Sequence, residues 1–393
     1  MLSQPLSPAS AAGPTAAGGA AGRPWRRALV AGGTAWAVSH LSYLLVIGTF
    51  WMGRAQWTAG NIFNRWDTGH YLRIAEHGYG KIYEDAAFFP LYPILIRAVE
   101  SVTPFGFLGS ALVVSNLACL GFLIILYRLM SSEIGDSTAE RMLYALVAFP
   151  TAFFLNVGYN ESLFMLLVTA ALYCVRKGLW WHAGALGALT SATRSAGVLL
   201  GLAFAYEYLR QRGWNLRRIR ADVLAAGLIP AGLVAYIAYT WVRFDDPLRF
   251  SHAQDTWNRS LSWPWESSWY ILRRLLTDPF PYQTTVYNVL DLVTALGSVT
   301  LLALCVWGPW KLRRDQMYLV VYGAASLFLV LVFPVGPPMP LQSVTRYALE
   351  IIPVFIIMAR MGSSIHLSRA YLFVALPIQT LLTALFLNYL WAG

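Results

Sequence analysis

The sequence predicts an all-α polytopic membrane protein, and three observations carry that prediction. Hydrophobic residues fill 57% of the 393 positions against 12% for charged ones, apolar runs recur along nearly the whole chain, and basic residues cluster between those runs. A water-soluble domain of this size needs far more charge on its surface, whereas about 20 apolar residues suffice to cross roughly 30 Å of hydrocarbon. Helices are the expected spanning form because they satisfy their own backbone hydrogen bonds where water is absent. The formal charge of +10 is then a topology signal. It is not the basic stripe of a nucleic-acid binder, so the expected partner is the bilayer and not nucleic acid.

The elements follow in order. Residues 1–27 are rich in Ala, Gly, Ser and Pro and close on Arg23, Arg26 and Arg27; they are expected to form a disordered cytoplasmic tail ahead of one transmembrane domain, 28–393. The apolar run 28–50 is too long for a signal-peptide core and reads as a signal anchor. Because Lys and Arg in short loops stay on the cytoplasmic side, residue 27 is expected inside and residue 51 outside. A first outer loop, about 51–107, includes a stretch, 65–76, suited to an interfacial helix. The chain returns over 108–130, and short crossings are expected at 141–157 and 161–175, with Arg176-Lys177 inside.

The run 182–209 is long enough for one helix, but Arg210, Arg212, Arg217, Arg218 and Arg220 follow it and also belong inside. Two half-crossings that turn near Arg194-Ser195 reconcile length with charge, and broken helices at membrane depth line protein-bounded or watery cavities. After an outward crossing at 222–243, a second outer loop, about 244–285, places Trp257, Trp263, Trp265 and Trp269 at headgroup level. Crossings at 286–310, 317–334, 343–360 and 369–391 complete about eleven segments, with Lys311, Arg313 and Arg314 inside. Cys119, Cys174 and Cys305 lie in or beside apolar runs without metal-ligand spacing, so neither a disulfide framework nor a zinc site is expected. No Walker or Rossmann motif and no internal repeat occurs, so no nucleotide is expected.

The densest polar cluster is N-R-W-D-T-G-H-Y-L-R-I-A-E-H-G-Y at 64–79. Helical spacing brings Asp67, His70 and Arg73 near one face. Such a cluster suits either an interfacial helix with snorkelling charges or a site beneath a lipid headgroup, and A-F-F-P-L-Y-P at 87–93 favours the second. Arg194 interrupts an apolar run, where an arginine needs a cavity or a partner. A salt bridge to a neighbouring helix, with Glu161 as one candidate, and phosphate binding both stay open for it. Arg346 has the same two readings, and His252 and Gln254 are either local contacts or ligands.

The run from Arg65 to Pro93 resembles the signature of the PIG-V-like mannosyltransferases. In eukaryotes this family adds the second mannose to the glycosylphosphatidylinositol (GPI) precursor, and it lies within the GT-C class of polyprenyl-phosphate-sugar-dependent glycosyltransferases. Y-N-E-S-L-F at 159–164, T-R-S-A-G at 193–197, F-S-H-A-Q-D-T-W at 250–257 and R-Y-A-L-E-I-I-P at 346–353 resemble later blocks in the same order. The resemblance implies a GT-C type multi-spanning bundle with a catalytic first outer loop, in which Asp67 is the general base. Arg65, Trp66, His70, Arg73, Glu161, Arg194, His252, Gln254 and Arg346 would bind substrate.

The implied donor is a polyprenyl- or dolichyl-phosphate sugar bearing mannose or another hexose, and the acceptor is lipid-linked or otherwise extracytoplasmic. Trp66-Asp67 stands where the class often has two adjacent acids, and a divalent cation is left open. Ala196 stands where an asparagine is expected. Arginine outnumbers lysine 26 to 3, which fits a GC-rich genome, so the location is a prokaryotic plasma membrane or the endoplasmic reticulum. The rival class is a lipid or sugar transporter, against which the long aromatic outer loops and the missing repeat both speak.

Overall fold

The computed structural model describes residues 17–52, 58–277 and 283–392, and every regular element among them is helical. The first sixteen residues of the expected tail lie outside the described part. In chain order the helices are α1 (Ala17–Met52), α2 (Ala59–Phe63), α3 (Asp67–His77), α4 (Leu91–Glu100), α5 (Gly106–Ile134), α6 (Asp136–Val147), α7 (Glu161–Arg176), α8 (Trp180–Ser191) and α9 (Leu200–Gln211). They continue as α10 (Ala231–Phe244), α11 (Arg249–His252), α12 (Glu266–Thr277), α13 (Gln283–Val306), α14 (Met317–Val332), α15 (Val344–Tyr347), α16 (Ile352–Met361) and α17 (Ile365–Leu387).

The central helix is α5, whose Cys119, Phe122, Leu123, Leu126 and Met130 are all buried. It packs against α1, α6 and α7. Gly32 makes the α1 crossing possible, because a Cβ there would lie 2.7–2.8 Å from the Ile124 backbone. Small residues at such crossings let helices approach where the lipid supplies no hydrophobic drive. At Gly135 φ is +83°, a conformation that glycine adopts without a Cβ penalty, and it ends α5 and starts α6.

Among the described residues, five helices are long and apolar enough to cross a bilayer: Pro24–Thr49, Gly106–Ile134, Thr284–Val306, Arg314–Val332 and Ile365–Leu387. A sixth crossing arises if Ala221–Leu228 and Ala231–Phe244, bent by 45°, form one span. The expected count of about eleven is therefore not reached by length. The remaining apolar segments fold as helices of 10 to 16 residues, about 15–24 Å long at 1.5 Å per residue. The break expected near Arg194-Ser195 is present: α8 stops at Ser191 and a 3-10 turn, Ser195–Leu199, leads into α9.

The two long loops that were expected outside are built structures. In the first, Tyr71 and Ile74 of α3 join Phe88, Tyr92 and Ile96 in a core shared with Ala111, Val114 and Ala118 of α5 and Leu163 of α7. The interfacial helix expected at 65–76 thus packs on protein. In the second loop Trp263, Trp265 and Trp269 are more than half exposed. Trp257 differs from that group, because its ring meets Phe88 at 6.1 Å and His70 at 6.5 Å.

Candidate active site

Asp67 is the first residue of α3 and follows Trp66, whose φ is +46°. A bulky residue in the left-handed region is backbone strain, and strain of this kind gathers at functional sites. The Trp66 ring is braced by Tyr389 at 5.9 Å and Trp391 at 5.4 Å. The Asp67 backbone N–H donates to the Tyr159 hydroxyl at 3.3 Å, and its carboxylate Oδ2 accepts from an Arg346 terminal nitrogen at 2.8 Å.

Arg346 comes from α15, and its Nε donates to Glu161 Oε1 at 2.6 Å. Arg194 NH1 lies 3.6 Å from the same Glu161 oxygen and donates to Glu350 Oε1 at 2.6 Å. A continuous chain of charge, Asp67–Arg346–Glu161–Arg194–Glu350, thus joins α3, α7, α15 and the breaks that flank α9 and α16. Phe154 and Tyr159 lie 5.0 Å and 4.7 Å from the Arg346 guanidinium, and Tyr347 lies 4.9 Å from that of Arg194. Buried charges of this kind persist only when paired. Within the chain the Asp67 side chain is 23% exposed, against 3% for Glu161 and 5% for Arg346.

The ion pair to a neighbouring helix that was open for Arg194 is therefore made, chiefly with Glu350. Arg346 makes one as well. Three carboxylate oxygens of this chain of charge have no partner among the described residues: Asp67 Oδ1, Glu350 Oε2, and Glu161 Oε2, which is buried. Three carboxylates face two guanidiniums, so the chain carries a net charge of −1 when all are ionised.

One turn along α3, His70 Nδ1 lies 2.8 Å from Asp85 Oδ1, and Arg73 forks onto both Asp85 oxygens at 2.6 Å and 2.8 Å. A carboxylate only accepts, so the proton of His70 belongs on Nδ1. The imidazole stacks on Phe88 at 4.4 Å. Burial would raise the Asp85 carboxyl, but hydrogen bonds from Arg73 and His70 outweigh it and hold the group below the usual carboxylate range. His70 Nε2 and Arg73 NH1 have no partner among the described residues, and both side chains are about a quarter exposed.

The other expected residues fall into place around this centre. Arg65 is buried, donates to the Leu387 carbonyl at 2.9 Å and lies 4.1 Å from the centre of the Tyr389 ring. His252 is half exposed and pairs with Asp246 at 3.1 Å, and no contact joins it to the Asp67 chain. Gln254 is half-buried in the turn Ala253–Trp257, which packs on the turn Tyr83–Ala87 that carries Asp85. Glu350 and Asp85 were missed in the sequence. Glu350 stands four positions after Arg346 in the quoted R-Y-A-L-E block, a spacing that was available as a signal, whereas Asp85 had only the neighbouring Glu84 to mark it. No group of three or more His, Cys, Asp or Glu among the described residues could hold a metal ion.

Residues 32–241, more than half of the chain, match the family described as Mannosyltransferase (PIG-V). GPI alpha-1,6-mannosyltransferase 2 of Cricetulus griseus is 37% identical over 148 residues, which cover 35% of this chain and 29% of that protein. GPI mannosyltransferase 2 of Aspergillus fumigatus is 28% identical over 208 residues, or 45% of this chain and 42% of that protein. The chain thus spans less than half the length of these relatives. Among solved structures, ArnT from Cupriavidus metallidurans bound to undecaprenyl phosphate superposes with a TM-score of 0.51 at 15% identity, over 83% of this chain and 60% of that one. That likeness shows a shared GT-C fold. With the family match running through the break at Arg194 and the loop that carries Asp67, the chain belongs to the PIG-V mannosyltransferase family.

Proposed function

We propose that this protein transfers mannose, or another hexose, from a polyprenyl- or dolichyl-phosphate sugar to a lipid-linked or other extracytoplasmic acceptor. Transfer occurs with inversion at the sugar carbon, and Asp67 is the general base. The observation that carries this reading is the state of the Asp67 carboxylate: Arg346 holds Oδ2, while Oδ1 is unpartnered and the side chain is the most open of the ion-pair chain. A base must be oriented yet keep one oxygen for the incoming proton.

In the step itself the acceptor hydroxyl oxygen bonds to the anomeric carbon as its proton passes to Asp67 Oδ1. The bond from that carbon to the phosphate oxygen breaks, and its electron pair leaves with the phosphate. A phosphate leaving group needs no acid, only donors that meet its charge. Arg73 NH1, about two turns along α3 from Asp67, supplies such a donor, and His70 Nε2 joins it only when the ring is protonated on both nitrogens. Arg346 and Arg194 act through the carboxylates they already hold, since a net negative ion-pair chain repels a phosphate. The transporter reading is not favoured, because the family and its relatives are mannosyltransferases.

The test is incubation of proteoliposomes with radiolabelled polyprenyl-phosphate mannose, with and without chelator, followed by identification of the labelled product. Asp67→Asn should abolish transfer while the protein stays folded. Wild-type turnover in that variant would remove Asp67 as the base. Labelling of a cysteine placed beside Asp67 by an impermeant reagent, from the cytoplasmic side alone, would overturn the extracytoplasmic site.

A further inference from the structure

Both partners of the Asp67–Arg346 pair are carried by helices that open on a strained residue. Trp66, with φ +46°, precedes α3, and Ser343, with φ +74°, precedes α15. Such a conformation persists only where the surroundings over-determine it. In α15 those surroundings set the geometry, because its four residues, Val344–Tyr347, are far too few for a helix to hold its own shape.

The anchor is Thr345, the residue before Arg346. Its backbone N–H and its hydroxyl both donate to Asp291 Oδ1, at 3.2 Å and 2.7 Å, and its carbonyl accepts from the Thr151 hydroxyl at 2.8 Å. All three residues are buried. Asp291 belongs to α13, which packs on α15, and it lies within the candidate span Thr284–Val306. Unlike Asp67, Glu161 and Glu350, it is in no ion pair among the described residues. A carboxyl inside a span is costly, and its presence there marks a function by default.

We propose that Asp291 is a positioning residue for the transfer reaction. It fixes α15 through Thr345, so that Arg346 meets Asp67 Oδ2 and Oδ1 is left for the acceptor hydroxyl. This rests on the reading of Asp67 as the base. Thr345 is joined covalently to Arg346, so a shift of α15 carries the guanidinium with it, and a misplacement of about 1 Å can cost about 10²-fold in rate. Both bonds from Thr345 land on a single oxygen of Asp291. An amide at this position keeps that oxygen, whereas a methyl group loses both bonds.

The experiment measures kcat and donor KM per folded molecule, with the full chain in proteoliposomes, radiolabelled polyprenyl-phosphate mannose as donor and a total membrane lipid extract as acceptor. Asp291→Ala should lower kcat about 10- to 100-fold and leave KM unchanged. Asp291→Asn should bring kcat back to within about threefold of wild type, and Thr345→Val, which removes the hydroxyl bond alone, should fall between the two. Wild-type kcat in Asp291→Ala, or a rise in KM in place of the fall in kcat, would overturn the proposal. So would an Asp291→Asn variant as slow as Asp291→Ala, since charge and not a fixed oxygen would then be what matters.

Unfolding midpoints of Asp291→Ala, Arg346→Met and the double variant read the same link without turnover. Because Asp291 acts through Arg346, the two losses should overlap, and fully additive losses would overturn the proposal. The two readings separate on these results. If Asp67→Asn keeps full transfer while the losses overlap, the base assignment fails and the hold of Asp291 on Arg346 stands. If transfer depends on Asp67 but Asp291→Ala keeps its kcat and the losses add, the role of Asp291 alone falls.

Discussion

Helix α7 has an ion-pair network at each end, and the two differ in how completely they are filled. At its C-terminus Arg176 meets Glu133 of α5, Glu207 of α9 and Asp315 of the turn before α14 at 2.5, 3.2 and 2.7 Å. Arg210 adds a fork onto Glu207, and Arg313 a second pair onto Asp315. Three arginines face three carboxylates, and all six carboxylate oxygens are paired. At its N-terminus Glu161 shares two arginines with Asp67 and Glu350, and Asp67 Oδ1, Glu161 Oε2 and Glu350 Oε2 go unpartnered among the described residues. A saturated network ties helices together. An unsaturated one keeps an acceptor available for chemistry, and its surplus negative charge is held in place by the fold around it.

The contrast breaks most sharply at Asp67. Asp67→Asn should cost about 10²–10⁴ in transfer rate, the usual worth of a general base, with an unchanged unfolding midpoint, as measured by radiolabel turnover and thermal scans side by side. Arg346→Met should remove activity and also destabilise by about 3–5 kcal/mol, because it leaves Glu161 and Asp67 without their shared cation in a buried place. Adding Glu161→Gln should recover part of the stability and none of the turnover, and a double-mutant cycle reads both.

Arg176→Met sharpens the comparison from the other end. Arg210 still holds Glu207 and Arg313 still reaches Asp315, so the loss should be smaller, about 1–3 kcal/mol. Turnover per folded molecule should not change, and a fall in it would show that the two ends of α7 are coupled.

The smallest effect concerns acid. The Asp85 carboxyl sits lower in the folded protein than its ordinary value, so its contribution is present above about pH 4 and disappears as pH falls through the folded value. The gap in unfolding midpoint between wild type and Asp85→Asn should therefore stay constant from pH 7 to about 4 and close below it. A gap that closes near neutrality would mean that His70, and not Asp85, controls the pair.

Hydropathy and charge made the membrane class, the order of the apolar segments and the broken helix at Arg194 legible, because each is a property of a short stretch of chain. The number of full crossings was not legible in the same way. An apolar run such as 141–157 marks burial, but burial against protein and against lipid read alike, and that segment folds into the 12-residue α6 and a separate turn.

Pairing across distance was the other thing hidden. Asp67 and Arg346 are 279 positions apart, and nothing local to either names the other. Asp85 looks like an ordinary loop acid until Arg73 and His70 fold over it. Trp257 likewise belongs by composition with its exposed neighbours, yet it turns inward onto Phe88.

By itself the sequence determined that this chain lives in a bilayer, and the charge of its loops predicted the break at Arg194. Only the tertiary structure decided which arginine orients Asp67, that Glu350 and Asp85 complete the charge, and which oxygens remain open. The reason is physical: solvent preference is additive along the chain, whereas the state of a buried charge depends on partners that only folding brings within a few ångströms.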